Sequence, residues 1–166
     1  MNVQTDQPMV SARAIRESPL GLDLSDTQCR LLASVAGLVC LDAGRQLADA
    51  GHRDNTLYIV SDGSLEVSKG TGEGGHVMLQ TLHAGDMACI MGFIDGAAHS
   101  ADVTALSQCE LITLGRSDLE ALLDRDPELV YLVMRAVVRA AHGIIGQMNN
   151  QFVEMNNYIT HQHGPY

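Results

Sequence analysis

Apolar and polar positions alternate with a period that changes twice along the chain. The first firm signal is Leu24, Ser25, Asp26, Thr27, Gln28, Cys29. Ser25 with Gln28 three residues on is a capping box, and Leu24 with Cys29 is placed to form the flanking hydrophobic staple. Leu31, Leu32 and Val35 then make one apolar face of a short helix that ends near Gly37. From residue 39 to 114 the helical period is lost. Short apolar runs, such as Leu57 to Val60, Leu65 to Val67, Val77 to Leu79, Val103 to Ala105 and Cys109 to Leu114, are separated by Gly, Asp, Asn and Ser. That punctuation predicts an all-β barrel or sandwich. Helical signals return at Ser117, where Glu120 completes a second capping box before Leu122 and Leu123. Asp126, Pro127 and Glu128 then open a long helix: a capping acid, a proline whose missing N–H is harmless in the first turn, and an acid near the positive helix end. Residues 1–18 carry no periodicity and read as a flexible N-terminal tail.

The long helix holds the most regular pattern in the molecule. Tyr131, Met134, Val138, Ala141, Ile145, Met148, Phe152, Met155 and Ile159 alternate in steps of three and four. This is the seam of a coiled coil. At about 1.5 Å per residue, residues 127–160 extend roughly 50 Å, too far to lie wholly on so small a body. A second apolar face, from Val130, Leu132, Val133, Val137, Ala140 and Ile144, exists only in the first half. Beyond Met148 the flanks become Asn149, Asn150, Gln151, Asn156 and Asn157, leaving the narrow seam alone. A homodimer is the expectation, with those nine seam residues as its interface. Gly143 and Gly146 fall off the seam and mark a candidate bend.

Composition narrows the function. The 166 residues suit one domain with an accessory element, and the formal net charge is −10. Lys69 is the only lysine, and no basic run exists. Phosphate backbones and anionic membranes repel such a chain, so direct DNA binding and membrane attachment are not expected. Cys29, Cys40, Cys89 and Cys109 form no CxxC pair and sit in apolar stretches, so all four read as buried free thiols in a cytoplasmic protein. The glycine run from Gly70 to Gly75 lacks the Lys-Ser/Thr of a P-loop and reads as a mobile hairpin loop. His161 and His163 read as part of a polar tail over residues 161–166 rather than as a metal site. No nucleophile elbow, zinc-helix motif or pair of placed carboxylates suggests catalysis, so no enzyme is expected.

A family resemblance rests on the glycine placement. Gly44-Arg45-Gln46-Leu47, Gly51, Leu57-Tyr58-Ile59-Val60, Asp62-Gly63-Ser64-Leu65-Glu66-Val67 and Gly85-Asp86 resemble the body of the cyclic-nucleotide-binding domain of catabolite-activator (Crp/Fnr-like) regulators, channels and kinases. The resemblance implies a mainly β fold with flanking helices: a jelly-roll β-roll over residues 19–126, followed by a long C-terminal dimerisation helix over residues 127–160. By their own chemistry Gly63 and Gly85 are turn residues, Gly63 at a hairpin, where positive φ is needed.

The resemblance also implies where a ligand would sit. In the family, Phe-Gly-Glu-x-Ala and a later Arg-Ser/Thr-Ala hold the nucleotide: amides at a helix N-terminus and the Arg take the phosphate, the Glu a sugar hydroxyl. Here the segment from Asp86 to Val103 aligns without a gap but departs in chemistry. Cys89 stands for the Gly, Ile90 for the Glu and His99 for the Arg; only Ser100 and Ala101 keep the pattern. Ile90 accepts no hydrogen bond, and His99 lacks the bidentate fork of Arg. Cyclic AMP binding in the usual way is therefore not expected. The amides around Cys89 and Met91, with Ser100, can still seat a weaker anion. Two readings stay open. In one, Cys89, Ile90, Met91, Phe93 and His99 line a more apolar cavity for another small molecule, as relatives sense haem, chlorinated aromatics or 2-oxo acids; no cofactor is named by the sequence. In the other, the pocket is vestigial, His99 is an ordinary hydrogen-bonded His, and the protein is a structural protein–protein interaction module. The resemblance further implies parallel, two-fold dimers, and DNA-binding relatives continue from the long helix into a helix-turn-helix domain that is not seen before Tyr166. The leading expectation is a non-enzymatic, homodimeric sensor that passes its effect to a protein partner.

Overall fold

The computed structural model describes residues 9–161, so residues 1–8 and 162–166, including most of the expected C-terminal tail and His163, lie outside the described residues. In chain order the elements are α1 (Ala12–Glu17), a 3₁₀ turn (Pro19–Gly21), α2 (Asp26–Ala33), β1 (Gly37–Leu41), β2 (Gln46–Ala48), β3 (Thr56–Asp62), β4 (Leu65–Gly70), β5 (His76–Leu82), β6 (Met87–Ala88), α3 (Ile90–Asp95), β7 (Asp102–Ala105), β8 (Cys109–Gly115), α4 (Arg116–Glu120) and α5 (Pro127–His161). The strands form two antiparallel sheets, ordered β1-β8-β3-β6 and β2-β7-β4-β5. This is the mainly β roll with flanking helices that the glycine pattern implied.

Two cores explain why the central strands read as nearly continuous apolar runs. In β3, Leu57 and Ile59 face helices α1, α2 and α5, while Tyr58 and Val60 face the space between the sheets. In β8, Ile112 and Leu114 join the helix side, and Cys109 and Leu111 the inter-sheet side. Side chains alternate across a strand, so burial on both faces removes the polar half of the pattern.

Several local signals hold in detail. The α2 capping box is complete, with the Gln28 amide donating to Ser25 Oγ at 3.2 Å and the Ser25 amide to Gln28 Oε1 at 3.0 Å. Asp126 caps α5, accepting from the Leu129 amide at 2.9 Å, and Gln28 Nε2 donates to the same carboxylate at 3.3 Å, tying the two helix starts together. Asp23 receives Arg135 and Arg139 of α5 at 2.9 and 3.1 Å. The Arg135 and Arg139 guanidiniums hold its carboxyl below the usual range.

Four expectations need correction. Part of the stretch read as a tail is folded: Ser11 caps α1, and Ile15 is fully buried against α2 and the first core. A six-residue helix shows little periodicity, and its stability comes from docking rather than propensity. Ser117 does not cap α4, which begins at Arg116 after an extended Gly115. Gly63 has the positive φ anticipated, +85°, but lies at a corner between sheets rather than in a hairpin, since β3 and β4 pair with other strands. A Cβ there would sit 2.3 Å from the Gln108 carbonyl oxygen. Cys40 is exposed, because its position on β1 faces outward.

Helix α5 is continuous through Gly143 and Gly146. Leu129, Val130, Val133, Ala136 and Val137 are buried against the roll, and Leu132, Ala140 and Ile144 pack on the same core. Of the seam positions, Met134 and Ala141 also touch that core. Tyr131, Val138, Ile145, Met148, Phe152, Met155 and Ile159 are between 51% and 65% exposed, and every residue from 145 to 161 is exposed. By length and composition α5 is also apolar enough to cross a membrane, its best 18-residue window having a mean hydropathy of 1.5.

Candidate functional site

The turn at Ala84-Gly85, with Gly85 at φ +93°, feeds the two-residue strand β6, which pairs with Tyr58 and Ile59 of β3. The chain then enters α3 through Cys89, whose φ is +64°, the one non-glycine residue with positive φ among the described residues. A left-handed residue here lets a strand turn directly into a helix; for a side-chain-bearing residue that geometry costs of order 1–3 kcal/mol. A glycine at this position would be free of the cost. Gly96, at φ +74°, ends the helix. The chain returns along residues 97–101, pinned by the backbone of His99, whose amide donates to the His52 carbonyl and whose carbonyl accepts from the Gly51 amide, both at 2.8 Å.

Between α3, this return segment and the sheet lies a pocket of about 410 Å³. Cys89, Ile90, Met91, His99, Ser100 and Ala101 all line it, so the six residues singled out in sequence come together around one space. Phe93 does not: it is 1% exposed and belongs to the core beneath the helices. A helix of one and a half turns presents Ile90 and Phe93 to that core, and only Ile90 reaches the pocket as well.

Further lining residues come from distant strands: Val67, Gln80, Leu82, Met87, Ala88 and Val103, with Ile144 from α5. Sequence reading assigned none of them a role at the site, although Ile144 stood on the second apolar face of the helix. It also missed Gly92 and Asp54. A Cβ on Gly92 would lie 2.5 Å from the Asp54 carbonyl oxygen and 3.4 Å from the His99 ring, so glycine permits the close approach of the β3 entry to α3. The Asp54 carboxylate accepts from the Thr56 amide at 2.9 Å and the Tyr58 hydroxyl at 2.6 Å.

The electrostatics are adverse to anions. Burial, with Asp54 nearby, pushes the Cys89 thiol up to about 12, and burial with the Asp54 hydrogen bond likewise raises Tyr58. The arginines in the neighbourhood gather at the other end of α3: Arg53 Nη1 donates to the Gly96 carbonyl at 2.8 Å, and the Arg116 guanidinium lies against Gly96. Neither lines the pocket. Among the described residues no group of three His, Cys, Asp or Glu side chains is placed to hold a metal.

Residues 38–126 match the cyclic nucleotide-binding domain family. The chain belongs to that family. Its membership takes in the whole pocket except Ile144. The chain is 29% identical over 126 residues to an uncharacterized NTE family protein of Mycobacterium tuberculosis, covering 76% of this chain and 21% of that protein. It is 30% identical over 105 residues to the cAMP-activated global transcriptional regulator CRP of Haemophilus influenzae, covering 63% of this chain and 47% of the regulator. The chain thus spans less than half the length of these relatives. Among solved structures, a cyclic nucleotide-binding domain from Methylobacillus flagellatus superposes with a TM-score of 0.81 at 21% identity, covering 87% of this chain and 83% of that one. This cyclic nucleotide-binding domain therefore keeps the family's frame, with a regulatory type of fold.

Proposed function

We propose that the protein is a non-enzymatic, homodimeric regulatory module whose pocket does not take cyclic AMP in the usual way and serves another small ligand. In this reading residues 19–126 are the sensor and 127–160 the dimerising and transmitting helix. The observation that carries it is the pocket's composition: at the positions of the family's Glu and Arg stand Ile90, buried at the head of α3, and His99, half-buried on the wall. A cyclic phosphate entering there meets no arginine or lysine, and a charge taken from water without a partner is strongly disfavoured.

Dimerisation is supported by the apolar strip that α5 leaves exposed beyond its own core. Val77, Met78 and Leu79 on the edge strand β5, 46–61% exposed, add to that surface. Strand β5 is joined to α5 by a hydrogen bond from Gln80 to Gln147 at 3.0 Å. Exposed apolar strips mark interaction sites, and a helical partner fits a heptad seam. Burial of the first half of α5 on its own roll argues against a membrane span. The net charge of −10 argues against direct DNA contact, and the reading takes the partner to be a cytoplasmic protein.

A second reading, a structural interaction module with a vestigial pocket, is favoured by the same exposed strip, which needs no ligand to act. Sedimentation equilibrium of wild type and of Met148→Glu with Phe152→Glu, run beside melting curves with cyclic AMP and cyclic GMP, tests the proposal. Dimeric wild type, a monomeric variant and melting temperatures unmoved by either nucleotide are the expected results. A dimer that survives both substitutions would remove the seam, and a clear nucleotide-dependent rise would remove the altered specificity.

A further inference from the structure

We propose that the pocket over β6 and α3 takes an uncharged, largely apolar small molecule and rejects anions; this rests on the sensor reading above and names the chemical class of its ligand. The volume, about 410 Å³, lies in the range of small-molecule sites, which are mostly apolar with a few placed polar groups. The lining follows that recipe. Leu82, Met87, Ala88, Ile90, Ala101 and Val103 supply buried apolar surface, and no Asp, Glu, Lys or Arg contributes. Two polar spots face in from different walls: His99 with Ser100 on the return segment, and Gln80 on β5. A flat or compact molecule with one hydroxyl, carbonyl or ring N–H would find a hydrogen-bond partner there and apolar contact elsewhere.

Charge separates the ligand classes. With no arginine or lysine among the lining residues, a carboxylate or phosphate would give up its hydration for no more than the hydrogen bonds of His99, Ser100 and Gln80. The shift of the Cys89 thiol reports the same bias, because burial and the Asp54 carboxylate both resist a negative charge at that spot. The arginines that would reverse it are turned to the far end of α3 at Gly96. A neutral molecule meets none of this resistance. Such a ligand would also touch α5, since Ile144 closes one side of the space next to the exposed seam residue Ile145.

The test uses the intact chain labelled with ¹³C-methyl methionine, because Met87 and Met91 line the pocket and Met9, 87% exposed, does not. Indole and 2-naphthol are titrated beside indole-3-carboxylate and 2-naphthoate, with cyclic AMP as a further anion. The neutral probes should move the Met87 and Met91 methyl signals, leave Met9 in place, and bind at least tenfold more tightly than their carboxylates. Ala98→Phe, at the exposed rim, should weaken neutral binding at least tenfold while the melting temperature of the free protein holds; Ser100→Tyr does the same if that variant fails to fold. Carboxylates binding as tightly as the neutral probes at Met87 and Met91 would overturn the neutral class and leave the sensor reading intact, whereas cyclic AMP doing so would overturn the neutral class and the altered specificity proposed above. Silence of both methyls to every probe, in a protein that still melts cooperatively, would overturn the two together.

Discussion

Reinstalling the family's charged pair in the pocket puts a magnitude on what this chain has given up. Ile90 is 6% exposed at the first position of α3, shared between the helix-side core and the pocket. Ile90→Glu removes a buried apolar side chain, a loss of about 1.5–3 kcal/mol, and leaves a carboxylate with no arginine among the lining residues. The carboxylate answers by protonating, so its own penalty is bounded by the accompanying rise in pKa. Together the terms predict a destabilisation of about 3–5 kcal/mol at pH 7. Because the folded-state pKa is raised, the folded protein holds more protons than the unfolded chain above roughly pH 4.3. The penalty therefore grows as pH rises from there and fades below it. His99→Arg alone should change stability by only about 0.5 kcal/mol, since the position is half-buried and a long side chain can reach water. In the double variant the two charges share one pocket, and a pairing between them should recover about 1–3 kcal/mol relative to the sum of the singles. Urea unfolding of the four proteins at pH 5 and pH 7 measures every term. Cyclic AMP at about 100 times its Kd should then stabilise the double variant by ~2.7 kcal/mol and wild type not at all. A cost below about 1 kcal/mol for Ile90→Glu, or nucleotide stabilisation of wild type equal to that of the double variant, would refute the reasoning.

Other consequences are quicker to check. Gly63→Ala sets an L side chain at φ +85° and 2.3 Å from the Gln108 carbonyl oxygen, and should lower stability by about 2–5 kcal/mol in urea unfolding. Gly143→Ala and Gly146→Ala meet no atom within 4 Å, so each should stabilise α5 by about 0.5–1 kcal/mol, seen as a higher urea midpoint with unchanged m. A disulfide reagent at pH 8 should modify Cys40 fastest, Cys89 slowly because its raised pKa leaves little thiolate, and Cys29 and Cys109 only on unfolding. The raised Cys89 and Tyr58 groups keep protons in the folded state that the unfolded chain has lost. Stability should therefore fall with rising pH above about 9, and Cys89→Ala should remove part of that slope.

Much of this protein is written locally. The Ser25–Gln28 box, the Asp126 cap with Pro127, and the chain reversals at Gly63 and Gly85 depend on neighbours within a few residues, so the sequence by itself determined them. The change from helical to strand period and back was legible for the same reason, whereas the six residues that line the pocket were placed by the family resemblance, in two short segments at the entry to α3 and on the return after it. The heptad of α5 was equally plain, because a repeat over four turns or more needs no knowledge of the fold. Tertiary structure alone decided which of these features meet. It docked α1 through Ile15, which no periodicity announced. It turned Cys40 outward, sent Phe93 into the core instead of the pocket, and made Gly63 a corner between sheets. It brought the Asp54 carbonyl so close to Gly92 that no Cβ fits between them, and it held Cys89 in a conformation that glycine usually takes. It left the arginines at Gly96 rather than beside His99. Distances across a roll depend on pairing between strands far apart in sequence, and the charge seen by a ligand depends on those distances.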